Sequence, residues 1–217
     1  MEACFCNQIM GIPKVTVVDY GAGNVWSVIS AFKYLGAEVE LIADPEEISK
    51  SSILVLPGVG SFKNGMESLR ARGIDEAIID AVTNKGVKIL GICLGMQLLG
   101  SHSTEDDETD GLGLLPNQVE RFTSKEVCGR KIPHVGFNSL HFSEKKGLFE
   151  GLPYLADFYF THSYRMLVDD IHGRYATCKY GVEFLSAYEI GNICGTQFHP
   201  EKSQTNGLMM LKNFVKL

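Results

Sequence analysis

No stretch of the 217 residues holds the roughly 18–20 consecutive apolar positions that a membrane-spanning helix needs, so no membrane span is expected. Basic residues are outnumbered: 20 Lys and Arg against 26 Asp and Glu give a formal net charge of -6. Without a basic stripe the chain is a poor candidate for nucleic-acid binding. The opening MEACFCNQIMGIPK has neither a basic n-region nor a long apolar core, which argues against a secretory signal. Six cysteines, at 4, 6, 93, 128, 178 and 194, lack the paired spacing of a zinc site, since Cys4 and Cys6 are two apart with no CxxC downstream. In a chain this large and rich in core residues they are expected to be reduced thiols in a cytoplasm rather than a disulfide framework. No repeat, low-complexity tract or linker divides the sequence, and no metal or cofactor is expected.

What is present is a 45% hydrophobic chain, enough for one sizeable domain. Residues 1–13 read as an N-terminal extension ahead of a domain over 14–217, and a start at Met10 would suit the strand pattern better. KVTVVD (14–19) is a β-branched run ended by a glycine turn, hence a buried first strand. Val25, Val28, Ile29, Phe32 and Leu35 then follow a helical period stopped by Gly36. Strands are expected at 39–43, 53–60 and 87–93, with helices around Met66 and Leu69, at 74–82 and from Leu94. This order predicts an α/β fold, a mostly parallel open sheet flanked by helices. NQVERF, HVGFNSLHF, DFYFTHSY, RYATCKY and VEFLSAYEIGNICGTQF read as antiparallel or mixed strands added to the same sheet. LMMLKNFVKL closes the chain as a helix.

Several short motifs carry chemistry. GAG in YGAGNVW opens like a dinucleotide fingerprint, but Trp26 stands where the third glycine belongs, so nucleotide binding is not expected. In GICLG a cysteine ends an apolar strand and a helix starts at once, the layout of a nucleophile elbow. Gly91 and Gly95 leave room for close backbone approach. Amides at a helix start favour a thiolate and can hold an oxyanion. The competing reading, a small buried core cysteine, is equally weighted on GICLG alone. In TQFHPEKS, Pro200 disfavours helix at the residue before it, and in extended backbone His199 and Glu201 project to one side. A nucleophilic cysteine calls for such a histidine with an orienting acceptor. LPGVG (56–60) ends a strand where flexible glycine peptides can turn an N–H toward a ligand. His162 and His134 are further candidates, whereas His102, His141 and His172 carry no local signal. The charge run TEDDETD (104–110) reads as a solvated loop.

GICLGMQLL, LPGVGSF and QFHPEKS together resemble the class I (triad) glutamine amidotransferases. DYGAGN, DGLGLLP, KIPHVGFN, THSY and the ending GTQFHPEKSQTNGLMMLKNF narrow the resemblance to the glutaminase subunits of imidazole glycerol phosphate synthase, from about residue 14 to 217. The resemblance implies L-glutamine as substrate, with Cys93 as nucleophile, His199 as proton carrier and Glu201 orienting the imidazole. It implies that Leu94 and the Gly58–Val59 peptide supply oxyanion donors, that peptide being turned away until the partner is loaded. Gly60, Gln97, His162, Ser163 and Tyr164 match positions that hold the glutamine. The implied partner is a separate (β/α)8-barrel cyclase in a heterodimer, with Asn24 and Phe137 at the interface.

One departure stands out: the family reads PHxGWN where this chain reads PHVGFN, so Phe137 keeps the bulk but loses an indole N–H donor. It leaves open a paralogous glutaminase that feeds an amidino-sugar pathway of surface polysaccharides. A stand-alone cysteine hydrolase would fit the elbow, but Gln97 and LPGVG favour a small amide substrate. A non-catalytic regulatory subunit fits poorly with an intact set of Cys93, His199 and Glu201.

Overall fold

The structure, a computed structural model, describes residues 12–21, 25–169 and 171–217. The first half alternates strands and helices: β1 (Lys14–Val18), α1 (Val25–Tyr34), β2 (Glu38–Ile42), α2 (Pro45–Ser49), β3 (Ile53–Gly58), α3 (Phe62–Arg70), α4 (Ile74–Thr83), β4 (Lys88–Cys93) and α5 (Leu94–Leu98). Short strands β5 (His102–Ser103), β6 (Thr109–Asp110) and β7 (Val119–Arg121) lead into β8 (His134–Ser139) and β9 (His141–Phe142). Then come β10 (Asp157–His162), β11 (Tyr164–Met166), β12 (Arg174–Tyr180), β13 (Val182–Ile190), β14 (Ile193–Thr196) and α6 (Gln204–Lys216). Pro13, at the boundary expected for the extension, already accepts a hydrogen bond from Glu38 N–H, and residues 1–11 lie outside the described part.

The main sheet runs β2-β1-β3-β4-β14-β13-β11-β7-β5-β6. Its first five strands are parallel, and β13 turns antiparallel beside β14. Alternate residues of β3 serve opposite faces: Ile53 and Val55 join the layer with α1 and α6, Leu54 and Leu56 the layer with α3, α4 and α5. A strand buried on both faces reads as a continuous apolar run, which is why ILVL has no polar alternation. In open sheets of this kind ligands bind beyond the carboxyl ends of the strands. Here β3, β4 and β14 end side by side, with Gly58 in register with Cys93 and Thr196 with Ile92.

Two features depart from the sequence expectation. α2 was unforeseen, yet Asp44 caps it, its Oδ1 accepting from the Glu46 and Glu47 N–H groups at 2.8 and 3.2 Å. HVGFNS and DFYFTH do not join the main sheet; β8 and β10 pair only with each other, as a two-stranded antiparallel ladder. Alternation identifies a strand but says nothing of its partner. One face of the ladder buries Phe158 and Phe160 in the core, and the other exposes Val135 and Phe137.

Close packing at the elbow after β4 explains two of its glycines. A Cβ on Gly95 would sit 1.7 Å from the Leu56 carbonyl oxygen, and one on Gly91 would lie 2.6 Å from the Met96 backbone. Neither neighbour is a side chain that can swing away. Gly95→Ala is therefore expected to lose about 2 kcal/mol or more of stability, as overpacking against backbone forces a shift. Urea unfolding checks this, and an unchanged midpoint would contradict the packing described.

Candidate active site

Cys93 ends β4 with φ 54° and ψ -109°, a conformation rare for any residue bearing a side chain. The turn lifts the thiol out of the strand's alternation while Ile92 and Leu94 stay buried. On one side β14 leads directly into Gln197, Phe198 and His199. His199 takes extended backbone ahead of Pro200 (φ -94°, ψ 97°), as the residue before a proline should. Its N–H donates to the Tyr159 carbonyl at 2.9 Å, and its carbonyl accepts from the Ser203 hydroxyl at 2.6 Å. Held from both ends, its ring donates from Nδ1 to Glu201 Oε1 at 2.8 Å. Nε2 is buried and has no hydrogen-bond partner among the described residues. The Cys93 thiol is close enough to act on its charge. Burial disfavours the charged ring, but the Cys93 thiol and the Glu201 carboxylate outweigh it and raise His199 from 6.5 to about 9.

The thiol and His199 open onto a cavity of about 390 Å3. Val59, Gly60, Leu94, Gln97, His162, Ser163 and Tyr164 also line it, so seven further residues expected from the sequence meet there. Gly58 lies behind this wall, packed under the Tyr20 hydroxyl, which donates to the Pro57 carbonyl at 2.8 Å. Glu201 stands behind His199. Phe137 is half exposed on the outer ladder, 5.6 Å from the Tyr159 ring, and is not part of the cavity wall. Asn24 lies outside the described residues.

The other two candidate histidines are locked neutral. His162 Nδ1–H donates to the Tyr164 carbonyl at 2.7 Å, which leaves Nε2 as an acceptor. His134 Nδ1 must then donate to it, at 3.1 Å. Burial lowers His134 to about 4 and His162 to about 3. His134 is stacked between the rings of Phe160 and Tyr180, with centroids 4.7 and 4.0 Å away.

Two side chains escaped the sequence reading. Glu105, inside the charge run taken for a solvated loop, folds over α3. Its Oε2 accepts from the Phe62 N–H at 2.8 Å, and the carboxylate lines the cavity. Burial pushes its carboxyl above the usual range, against the lowering pull of that N–H. In the same run Asp107 pairs with Lys63. Gln197, fully buried, touches both Gln97 and Cys93. Like-charge runs mask a single residue with a partner, and a glutamine beside FHPE has no pattern of its own.

The sequence model of the family "Glutamine amidotransferase class-I" matches residues 16–217. The chain belongs to that family. It is thus an enzyme that hydrolyses glutamine. It is 45% identical, over 93% of its length and 97% of the relative's, to the imidazole glycerol phosphate synthase subunit HisH 1 of Parasynechococcus marenigrum (strain WH8102). It is 46% identical, over 93% and 97%, to the subunit HisH of Sulfurimonas denitrificans (strain ATCC 33889 / DSM 1251). Among solved structures, PurLQS from Thermotoga maritima shares the fold with a TM-score of 0.71 at 18% identity, over 95% of this chain and 99% of that one. The sequence resemblance and the α/β fold are borne out.

A group whose folded value is raised stabilises the fold fully below the unfolded value and loses that contribution as pH rises through the folded one. For His199 the window runs from about 6.5 to about 9. Glu201→Gln is expected to lower the His199 titration midpoint, read by NMR of the ring, by about 1 unit or more. The stability gap between wild type and Glu201→Gln should be widest below about pH 6.5, narrow as pH rises from there, and close above about pH 9. A midpoint unmoved by the substitution would contradict the geometry.

Proposed function

We propose that this enzyme is the glutaminase subunit of an imidazole glycerol phosphate synthase. In this reading it hydrolyses L-glutamine through Cys93, His199 and Glu201 and passes the ammonia to a (β/α)8-barrel cyclase, which uses it in forming imidazole glycerol phosphate for histidine biosynthesis. The observation that carries the chemistry is the convergence on one cavity of a strained cysteine and a histidine whose far nitrogen is tied to a carboxylate. The pathway assignment is supported by relatives named as HisH subunits at 45% and 46% identity along nearly their whole length.

The geometry supports a definite sequence of steps. His199 Nε2 takes the Cys93 proton while Nδ1–H stays on Glu201. The sulfur attacks the carboxamide carbon of glutamine, and the oxyanion is met by the Leu94 N–H and the Gly58–Val59 peptide. His199 returns the proton to the departing nitrogen, which leaves as ammonia. Water then gives a proton to His199 and attacks the glutamyl thioester; glutamate leaves and the thiol is restored.

Substrate recognition follows from which polar atoms remain unused. Gln97 commits its amide nitrogen to the Tyr164 carbonyl at 3.0 Å and to Gln197 Oε1 at 2.8 Å, so only its own oxygen is left to face the cavity. Glu105 has spent Oε2 on the Phe62 N–H and keeps Oε1. An acceptor and a carboxylate in one small cavity suit the ammonium group of a free amino acid better than a peptide chain, which has none there.

Ammonia released to water protonates and ceases to be a nucleophile, so a receiving partner is part of the reading. Trp26, Val59, Val135 and Phe137 are large apolar side chains left exposed, and Val59 also lines the cavity. An apolar side chain exposed at the site is where a receiving partner would gain contact.

Cys93→Ala, assayed with the barrel subunit and its ribonucleotide substrate, is expected to lose about a thousandfold or more of glutamine turnover. Unchanged turnover would overturn the mechanism, and peptide cleavage without a partner would support a stand-alone hydrolase instead. Glu105→Gln is expected to raise the KM for glutamine about tenfold with a smaller change in kcat, because a ground-state ion pair is removed. An unchanged KM would remove Glu105 from substrate binding.

A further inference from the structure

We infer that Gln197 is a positioning residue for the nucleophile: its buried side-chain amide donates a hydrogen bond to Cys93 Sγ, holding the sulfur toward the cavity and favouring its ionised form. The inference rests on the reading of Cys93 as nucleophile. Gln197 Nε2 lies 3.8 Å from the sulfur, and the residue is 0% exposed.

Which end of the amide faces the sulfur follows from a chain of hydrogen bonds anchored on the backbone. The Tyr164 carbonyl can only accept, so Gln97 must present its NH2 group there, at 3.0 Å. The same nitrogen faces Gln197 at 2.8 Å, so Gln197 must answer with its oxygen. Its NH2 is then turned to Cys93. A thiol sulfur accepts weakly, whereas a thiolate is a full acceptor, so a fixed N–H donor favours the ionised form. The Gln197 backbone is tied in turn, its N–H donating to the Ser186 carbonyl of β13 at 2.8 Å. Gln97 therefore sets the polarity of the Gln197 amide while offering its own oxygen to the cavity. One chain of bonds joins the wall at Tyr164 to the attacking sulfur.

The test is alkylation of Cys93 by iodoacetamide as a function of pH, followed at the Cys93 peptide by mass spectrometry because Cys128, unlike Cys93, is exposed and will react too. Gln197→Met keeps the length and removes the donor. It should raise the pH of half-maximal alkylation by about 1 unit and slow the reaction at neutral pH about tenfold, the effect of one hydrogen bond to a charged group. With the partner present, kcat for glutamine hydrolysis should fall about tenfold while KM changes less than about threefold. Gln197→Glu, nearly isosteric, replaces the donor by a carboxylate and should move the midpoint further in the same direction; it decides the matter if Gln197→Met does not fold. Wild-type alkylation profiles in the folded variants would overturn the inference. A wild-type protein whose Cys93 alkylation ignores pH, or a Cys93→Ala variant that keeps turnover, would instead overturn the nucleophile reading beneath it.

Discussion

The backbone at Cys93 is the constraint on which the rest of the site depends. Its φ of 54° and ψ of -109° put the residue in a region that costs about 1–3 kcal/mol unless the surroundings force it. The surroundings do so. β3 and β14 flank β4 on both sides in parallel register, so the strand cannot slide. Gly91 and Gly95 let the chain double back against Met96 and the Leu56 carbonyl at distances no other residue tolerates. Parallel pairing thereby brings LPGVG and QFHPE, far away in sequence, to either side of one thiol. The elbow is rigid because three strands and two glycines leave it one conformation, and that rigidity aims the sulfur.

The protonation states around the cavity are divided by environment. Three histidines lie near one another, yet only His199 is paired with a carboxylate. Against the cost of burial, that carboxylate and the nearby thiol lift it to about 9, whereas burial drives His134 and His162 to about 4 and about 3. One ring is thus suited to receive a proton, and the other two are fixed as neutral hydrogen-bond links in the wall. The same economy of roles appears among the glutamines, where Gln97 faces the cavity and Gln197 stands behind the sulfur.

The parallel half of the fold was legible because β-branched runs, glycine stops and helical periods agreed with one another along KVTVVD, ILVL and VKIL. α2 was written in DPEE, a cap, a first-turn proline and acidic first-turn residues, but five residues carry too little periodicity to register. The β8–β10 ladder was legible as strands and not as a separate sheet, because partner choice is set by long-range packing of Phe158 and Phe160. At the site, GICLG, LPGVG and FHPE each had an ordinary alternative, and it was their combination that singled out Cys93, His199 and Glu201. Glu105 was hidden by its charged neighbours: TEDDETD looks uniformly wet, but one of its carboxylates is held by the Phe62 N–H at the start of α3. Gln197 was hidden for the opposite reason, since its role exists only through contacts with Gln97 and Cys93, both about a hundred positions away.

In the proposed mechanism, release of the glutamine nitrogen leaves the glutamyl carbon bonded to the Cys93 sulfur. Rapid quenching in acid of the enzyme turning over L-glutamine with its barrel partner, followed by peptide mass spectrometry, tests this most directly. A glutamyl thioester on the peptide containing Cys93, present during turnover and lost when glutamine is exhausted, is the result predicted. Steady turnover with that peptide unmodified throughout, or a glutamyl group on any other residue, would contradict it.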